Sequence, residues 1–137
     1  ISYFKKRWIM KKHYKVYLII FVILIIAGLS FFVIRYNQKT FVGERIKNPD
    51  SYLLDIRKMN GSDNHSMDLK KGASLKISFE TYKGTLNLKI VNQKNEIVYE
   101  GNGKVATNFT IDLPSDDSYT FFVKAKWAKG YINISVK

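Results

Sequence analysis

Residues 74–91, SLKISFETYKGTLNLKIV, decide the fold of this chain. Over Ser74–Phe79 and again over Thr85–Val91, apolar residues alternate with polar ones. A period of two puts successive side chains on opposite faces of a strand, one buried and one solvated. Lys83-Gly84, between the two segments, is a turn signal. The stretch therefore predicts two half-buried antiparallel strands.

The same period extends on both sides of this stretch. It predicts further strands over 104–113, 119–127 and 131–136, and shorter ones over 52–57, 67–69 and 97–99. Segments rich in Gly, Asn, Asp and Pro separate them, at 60–62, 71–72, 101–103, 114–117 and 129–130. Seven or eight short strands with one polar face each indicate an all-β domain, a small antiparallel β-sandwich of the jelly-roll type. The predicted core comprises Leu75, Ile77, Leu86, Leu88, Ile90, Phe109, Ile111, Phe121, Val123, Ile132 and Ile134.

Three short motifs in this region carry a family resemblance. Residues 69–72 read LKKG, residues 84–88 read GTLNL, and residues 116–119 read DDSY. Over residues 66–136 the chain resembles the bacterial pre-peptidase C-terminal domains. The resemblance implies an accessory, binding or stabilising module without catalytic residues.

The region before the sandwich contains an apolar run. Residues 16–34 carry no charge, and 15 of these 19 residues are Val, Leu, Ile or Phe. As a helix they would span about 28 Å, close to the thickness of a bilayer hydrocarbon core. The run predicts one N-terminal transmembrane α-helix over 16–35, followed by a stalk over 36–50 and by the β-sandwich over 51–137. A cleaved signal peptide is the alternative, but the run is long for one, so an uncleaved anchor is favoured.

Residues 1–15 form a basic tail that sets the predicted orientation. The tail contains Lys5, Lys6, Arg7, Lys11, Lys12 and Lys15 and no acidic residue. The positive-inside rule places it in the cytoplasm and the sandwich outside the cell membrane. These six residues could also face anionic lipid headgroups of the bilayer, although the topogenic role alone accounts for them. Residues 1–35 contribute +7 of the net charge of +12, so more than half of the basic excess lies beside the apolar run, and the charge does not indicate nucleic-acid binding.

The composition restricts the chemistry of the chain. There is no cysteine and there are only two histidines, His13 and His65. This excludes disulfides, thiolate nucleophiles and cysteine metal sites. We find no catalytic constellation, so we expect neither an enzyme nor a cofactor. An exported domain that is rich in Lys, Ile and Asn and lacks cysteine is typical of a low-GC Gram-positive bacterium.

Two segments contain candidate metal ligands. Asp116 and Asp117 are calcium candidates in the turn at 114–117, although a solvated turn is favoured because calcium needs six to eight oxygen ligands. In residues 59–68, which we predict to be a hydrophilic loop, Asp63, His65 and Asp68 also invite a metal interpretation. A solvated loop is favoured there as well.

The candidate binding residues lie near the C-terminus. Lys124, Lys126 and Lys129 surround Trp127 in the sequence, and Tyr131 follows. Aromatic rings beside lysines suit an anionic cell-wall polymer or a lipid headgroup. The alternative is that Trp127 closes the end of the core.

Together these features predict a single-pass, membrane-anchored, extracytoplasmic binding or accessory protein. Its partners would be the lipid bilayer and a larger integral membrane protein. The alternative is a cell-surface module that binds wall polymer or carbohydrate through exposed aromatic residues and lysines.

Overall fold

The computed structural model describes the backbone of residues 2–137 and the side chains of Arg7 and of residues 10–137. The chain divides into two compact units, residues 1–38 and 39–137. The elements are α1 (Ser2–Tyr36), β1 (Thr40–Asn48), β2 (Ser51–Leu69), β3 (Ser74–Val91), β4 (Ile97–Gly101), β5 (Thr107–Asp112) and β6 (Asp117–Val136).

The first unit is the single helix α1, 35 residues long. Its segment Met10–Tyr36 is long and apolar enough to cross a membrane, and its side chains are exposed throughout. Ser30 donates a hydrogen bond from Oγ to the carbonyl of Ile26, 2.8 Å away, which satisfies its hydroxyl within the helix. The helix includes the predicted basic tail as well as the predicted span, because Lys, Arg and Met are good helix formers.

The second unit is an antiparallel sheet with the order β1-β2-β6-β3-β4, and β5 pairs with β3. Three strands are 18 to 20 residues long: β2, β3 and β6. Each bends near its middle, where the register shifts, and so contributes to two layers. The first layer contains β1, β5, the first halves of β2 and β3 and the second half of β6. The second layer contains β4 and the other three halves.

The two layers enclose one core and confirm the predicted antiparallel β-sandwich. The ring of Tyr52 in the first layer lies 6.4 Å from that of Phe121 in the second, edge to face. Of the predicted core, Phe109 and Ile111 are only partly buried, because β5 is an edge strand. The prediction omitted the buried residues Tyr52, Leu54, Ile56, Met59, Met67, Leu69, Phe79, Val91, Leu113, Tyr119, Ala125 and Ala128.

The predicted stalk is wrong for residues 40–48, which form β1 and pair with β2. The sequence hides this strand because its inward positions include charged residues. Arg45 lies opposite the buried Leu54, and its guanidinium carbon lies 4.1 Å from the ring centroid of Phe41, which packs on the core. Edge strands commonly carry such inward-pointing charges.

The predicted loop over 59–68 is also wrong, since it is the second half of β2 and pairs with β6. The turn signals at 60–62, 83–84 and 129–130 likewise lie inside long strands. Glycine in a strand often marks a bulge or bend rather than its end, and here it marks the bends between the layers.

Candidate binding site

A bend at Trp127 determines which side chains of β6 point outward. Trp127 has a φ of +44°, in the left-handed region. Before the bend the buried positions include Phe121, Val123 and Ala125, and after it Ala128, Ile132 and Ile134. The side chains of β6 that point into the core therefore belong to odd-numbered residues before Trp127 and to even-numbered residues after it.

Because of this change, the five predicted binding residues do not form one site. Lys124 and Lys126 face outward from the second layer, whereas Lys129 and Tyr131 follow the bend into the first layer. Trp127 is half-buried at the bend, and the Nζ atom of Lys58 lies 5.2 Å from its ring centroid.

The outer face of the first layer is acidic around Tyr131. This residue lies opposite Asp55 on β2 and Glu80 on β3, and Asp55 lies opposite Glu44 on β1. We call these four residues the acidic row. The exposed Tyr82 lies close to this acidic row. Partial desolvation, together with the charges of Glu80 and Asp55, raises its pKa.

The outer face of the second layer is basic and contains an exposed aromatic ring. Phe122 is 43% exposed and lies opposite Asn64 on β2 and Lys89 on β3. Two residues along β6, Lys124 lies opposite Asn87. Directly opposite residues on one face have Cβ atoms about 5 Å apart, so these five side chains are neighbours. We call them the Phe122 face.

Two clefts meet on the Phe122 face. One, of about 560 Å³, is lined by Asn64, Lys89 and Phe122, among others. The other, of about 330 Å³, is lined by Lys104 and Lys126, among others. Both clefts share Asn87 and Lys124. The shared residues make a continuous track across the layer.

Sequence reasoning missed Phe122, Asn64, Asn87 and Lys89. One signal was present: Phe122 occupies a polar position in the alternation of residues 119–125. An aromatic residue at a solvent-facing position of a strand is the feature that indicates a binding surface. The partners on β2 and β3 carry no local signal, because only the register brings them together.

Asp63, a metal candidate, instead joins β1 to the second half of β2. Its carboxylate accepts a hydrogen bond from the Tyr52 hydroxyl and pairs with Lys47 Nζ at 3.1 Å and Arg45 Nε at 3.4 Å. Its side chain is only 10% exposed. Burial, followed by the bond to Asp63, raises the pKa of Tyr52. We call the cluster of Asp63, Tyr52, Arg45 and Lys47 the Asp63 latch.

His65 was also a candidate metal ligand. Its Nε2 atom lies 2.6 Å from the carbonyl oxygen of Asn48.

The two calcium candidates stabilise a turn. A carboxylate oxygen of Asp116 accepts a hydrogen bond from the backbone N–H of Lys71, and one of Asp117 accepts from that of Ser118, 2.8 Å away. Within the described part of the chain, no group of three or more His, Asp or Glu residues is placed to hold a metal ion.

Of the predicted membrane-surface residues, Arg7, Lys11, Lys12 and Lys15 are exposed on α1. The side chains of Lys5 and Lys6 lie outside those that the structure describes.

No protein-family model matches the sequence, and no curated protein matches it. Among solved structures, the chain is similar to the periplasmic inhibitor of g-type lysozyme from Aeromonas hydrophila, with 13% identity, a TM-score of 0.48, and coverage of 64% of this chain and 87% of that one. The corresponding inhibitor from Salmonella Typhimurium matches with 15% identity, a TM-score of 0.45, and 67% and 95% coverage.

The pre-peptidase C-terminal domain of a Bacillus anthracis collagenase also matches, with 15% identity, a TM-score of 0.44, and coverage of 74% of this chain and 100% of that domain. The family that the sequence resembles is therefore among the structural matches, which are β-sandwich proteins.

Proposed function

We propose that this protein is a single-pass membrane-anchored binding module that acts by binding and not by catalysis. The observation that carries the proposal is α1: Met10–Tyr36 exposes apolar side chains on every side and belongs to a unit separate from the sandwich. A helix that is apolar all round is stable in lipid and not in water. The sandwich then provides the surface for a partner.

The orientation follows from the flanks of the helix. Arg7, Lys11, Lys12 and Lys15 are exposed on the N-terminal side of the uncharged run at 16–34, so we place this end in the cytoplasm and the sandwich outside. The localisation that we propose is therefore the cell membrane, with the sandwich on its extracellular side.

The chain has no cysteine, which permits a direct test. Val105 is 77% exposed in the sandwich, and Met10 is 64% exposed on the N-terminal side of the uncharged run at 16–34. Each is replaced by Cys in the full-length chain with a C-terminal tag. We expect a membrane-impermeant maleimide to label Val105→Cys on intact cells, and to label Met10→Cys only after permeabilisation.

Labelling of Met10→Cys on intact cells would show the opposite orientation. Release from the membrane of a tagged sandwich that lacks residue 10 would show that the helix is removed as a signal peptide.

A larger integral membrane protein is a second proposed partner, through α1. The backbone at Gly28 is bare, since a Cβ atom built there meets nothing within 4 Å. A neighbouring helix approaches most closely at such a position. We expect that scrambling residues 16–34 at constant composition abolishes co-purification of a membrane protein and leaves membrane insertion intact. If the scrambled chain co-purifies the same amount of membrane protein, α1 serves only as a membrane anchor.

A further inference from the structure

We propose that the Phe122 face binds an acidic polysaccharide, a sugar polymer that carries anionic groups along its chain. This inference rests on the proposed binding function and names its ligand class and its residues.

Three side-chain types on the Phe122 face suit a charged sugar. The exposed ring of Phe122 offers a flat apolar surface against which the C–H face of a sugar ring packs. The amides of Asn64 and Asn87 lie on either side of β6, and each supplies two donors and an acceptor for sugar hydroxyls. Lys89 and Lys124 supply positive charge beside the ring.

The polar groups of the Phe122 face are available to a ligand. Among the described residues, the amides of Asn64 and Asn87 make no side-chain hydrogen bond, and Lys89, Lys104 and Lys124 make no ion pair. By contrast, Asp63, which lines the wider cleft, is neutralised by the Asp63 latch. The charge presented to a ligand is therefore strongly positive, with the exposed Glu100 as the remaining acid.

The shape and composition of the surface also favour a polysaccharide. Two clefts of about 560 and 330 Å³ joined through Asn87 and Lys124 suit an extended chain better than a compact small molecule. A protein partner is disfavoured, because the centres of protein interfaces are depleted of lysine and enriched in aromatic and apolar residues. Only Phe122 on this face is a large exposed apolar residue among those lining the clefts.

The test uses the full-length chain in detergent micelles and four polymers of matched length. Polygalacturonate has a carboxylate on every ring, dextran has rings without charge, polyacrylate has charge without rings, and oligothymidylate represents nucleic acid. We expect polygalacturonate to bind at least tenfold more tightly than the other three.

Phe122→Ala and Asn87→Ala should each weaken polygalacturonate binding about tenfold, and Lys124→Gln should weaken it similarly and reduce its salt dependence. The matched controls lie on the opposite face: Tyr82→Ala removes an exposed aromatic ring and Lys76→Gln an exposed lysine. Each control should change the affinity less than twofold, and circular dichroism should show that all five variants remain folded.

The inference is overturned by equal binding of polyacrylate, by tighter binding of oligothymidylate, by no binding of polygalacturonate, or by equal effects of Phe122→Ala and Tyr82→Ala. These outcomes leave the maleimide labelling unchanged, so the failure of this inference is distinguishable from the failure of the membrane-anchored function.

Discussion

The two outer faces of the sandwich come from the same long strands and differ in the charges that surround Tyr131 and Phe122. On the first layer, the acidic row places Glu44, Asp55 and Glu80 around Tyr131. On the second layer, Lys89 and Lys124 flank the exposed Phe122. Since a register shift of one residue moves a side chain to the other face, a single bend decides which charges are grouped. A binding surface in this protein is therefore formed by neighbouring strands of one layer and not by one continuous run of sequence.

The most destabilising substitution should be one at the bend between the layers, because it disrupts both outer faces of the sandwich. Gly84 has a φ of +69°, and a Cβ atom there would clash with the backbone carbonyls of Lys126 and Trp127. We expect Gly84→Ala to lower the free energy of unfolding of the sandwich by about 3 kcal/mol, measured by urea denaturation of the full chain in micelles.

Gly72→Ala is the matched control for this substitution. Gly72 also has a positive φ, +86°, but a Cβ atom there meets nothing within 4 Å. It should cost about 1 kcal/mol, from backbone strain alone. Equal costs for the two substitutions would show that close packing at the bend does not hold the layers together.

The second effect loosens one edge of the sandwich. Asp63→Ala removes the acceptor of the buried Tyr52 hydroxyl and leaves Arg45 and Lys47 without their carboxylate. We expect a loss of about 2 kcal/mol in the free energy of unfolding. Asp68→Asn, at an exposed position of the same strand, is the control and should change it by less than about 0.5 kcal/mol. A loss for Asp63→Ala as small as that expected for Asp68→Asn would show that the Asp63 latch contributes no stability.

The third prediction concerns the pH dependence of the free energy of unfolding, which tests the role of Tyr52 in the same latch. The pKa of Tyr52 is raised in the folded state by burial and by Asp63, so the folded state holds this proton more tightly than the unfolded state. The stabilisation is complete below about pH 10, where an unperturbed tyrosine is protonated, and is lost as the pH rises above that value.

Tyr52→Phe should reduce the free energy of unfolding by about 1 kcal/mol near neutral pH, through loss of the hydrogen bond. Unfolding measured from pH 8 to 11.5 should then show a steeper alkaline decline in the wild type than in the variant. Parallel curves would contradict the raised pKa of Tyr52.

The smallest effect concerns the acidic row alone. Glu80→Gln removes one of the charges that raise the pKa of the exposed Tyr82. We expect the pKa of Tyr82, followed by NMR titration of its ring, to fall towards its ordinary value, while the stability changes by less than about 0.5 kcal/mol. Asn133→Asp is the reverse substitution, since it adds a negative charge to the same face. A Tyr82 pKa unaltered by Glu80→Gln would show that this face does not act as an electrostatic unit.

Much of the architecture is readable from local pattern. The two-residue period of residues 74–79 and 85–91 predicts strands with one buried face, and Leu75, Ile77 and Leu88 are fully buried as expected. The uncharged run at 16–34 predicts a long apolar helix, and α1 contains it. Hydrophobic periodicity is a property of the chain itself, so these features need no knowledge of neighbours.

The candidate site was not readable in the same way. The sequence groups Lys124, Lys126 and Lys129 around Trp127, but the change of parity at Trp127 separates them onto two faces. Asn64 and Lys89 join Phe122 only through pairing of β2, β6 and β3. Pairing across 20 or more residues depends on register and not on local propensity.

By itself, therefore, the sequence determined the class of each segment: an apolar helix after a basic flank, and alternating strands around one aliphatic core. Tertiary structure alone decided that residues 40–48 belong to the sheet, that three strands bend through glycine-containing segments, and that acids group around Tyr131 and lysines around Phe122. The physical reason is that burial follows from local alternation, whereas the grouping of outward side chains depends on long-range strand register and on backbone geometry at the bends.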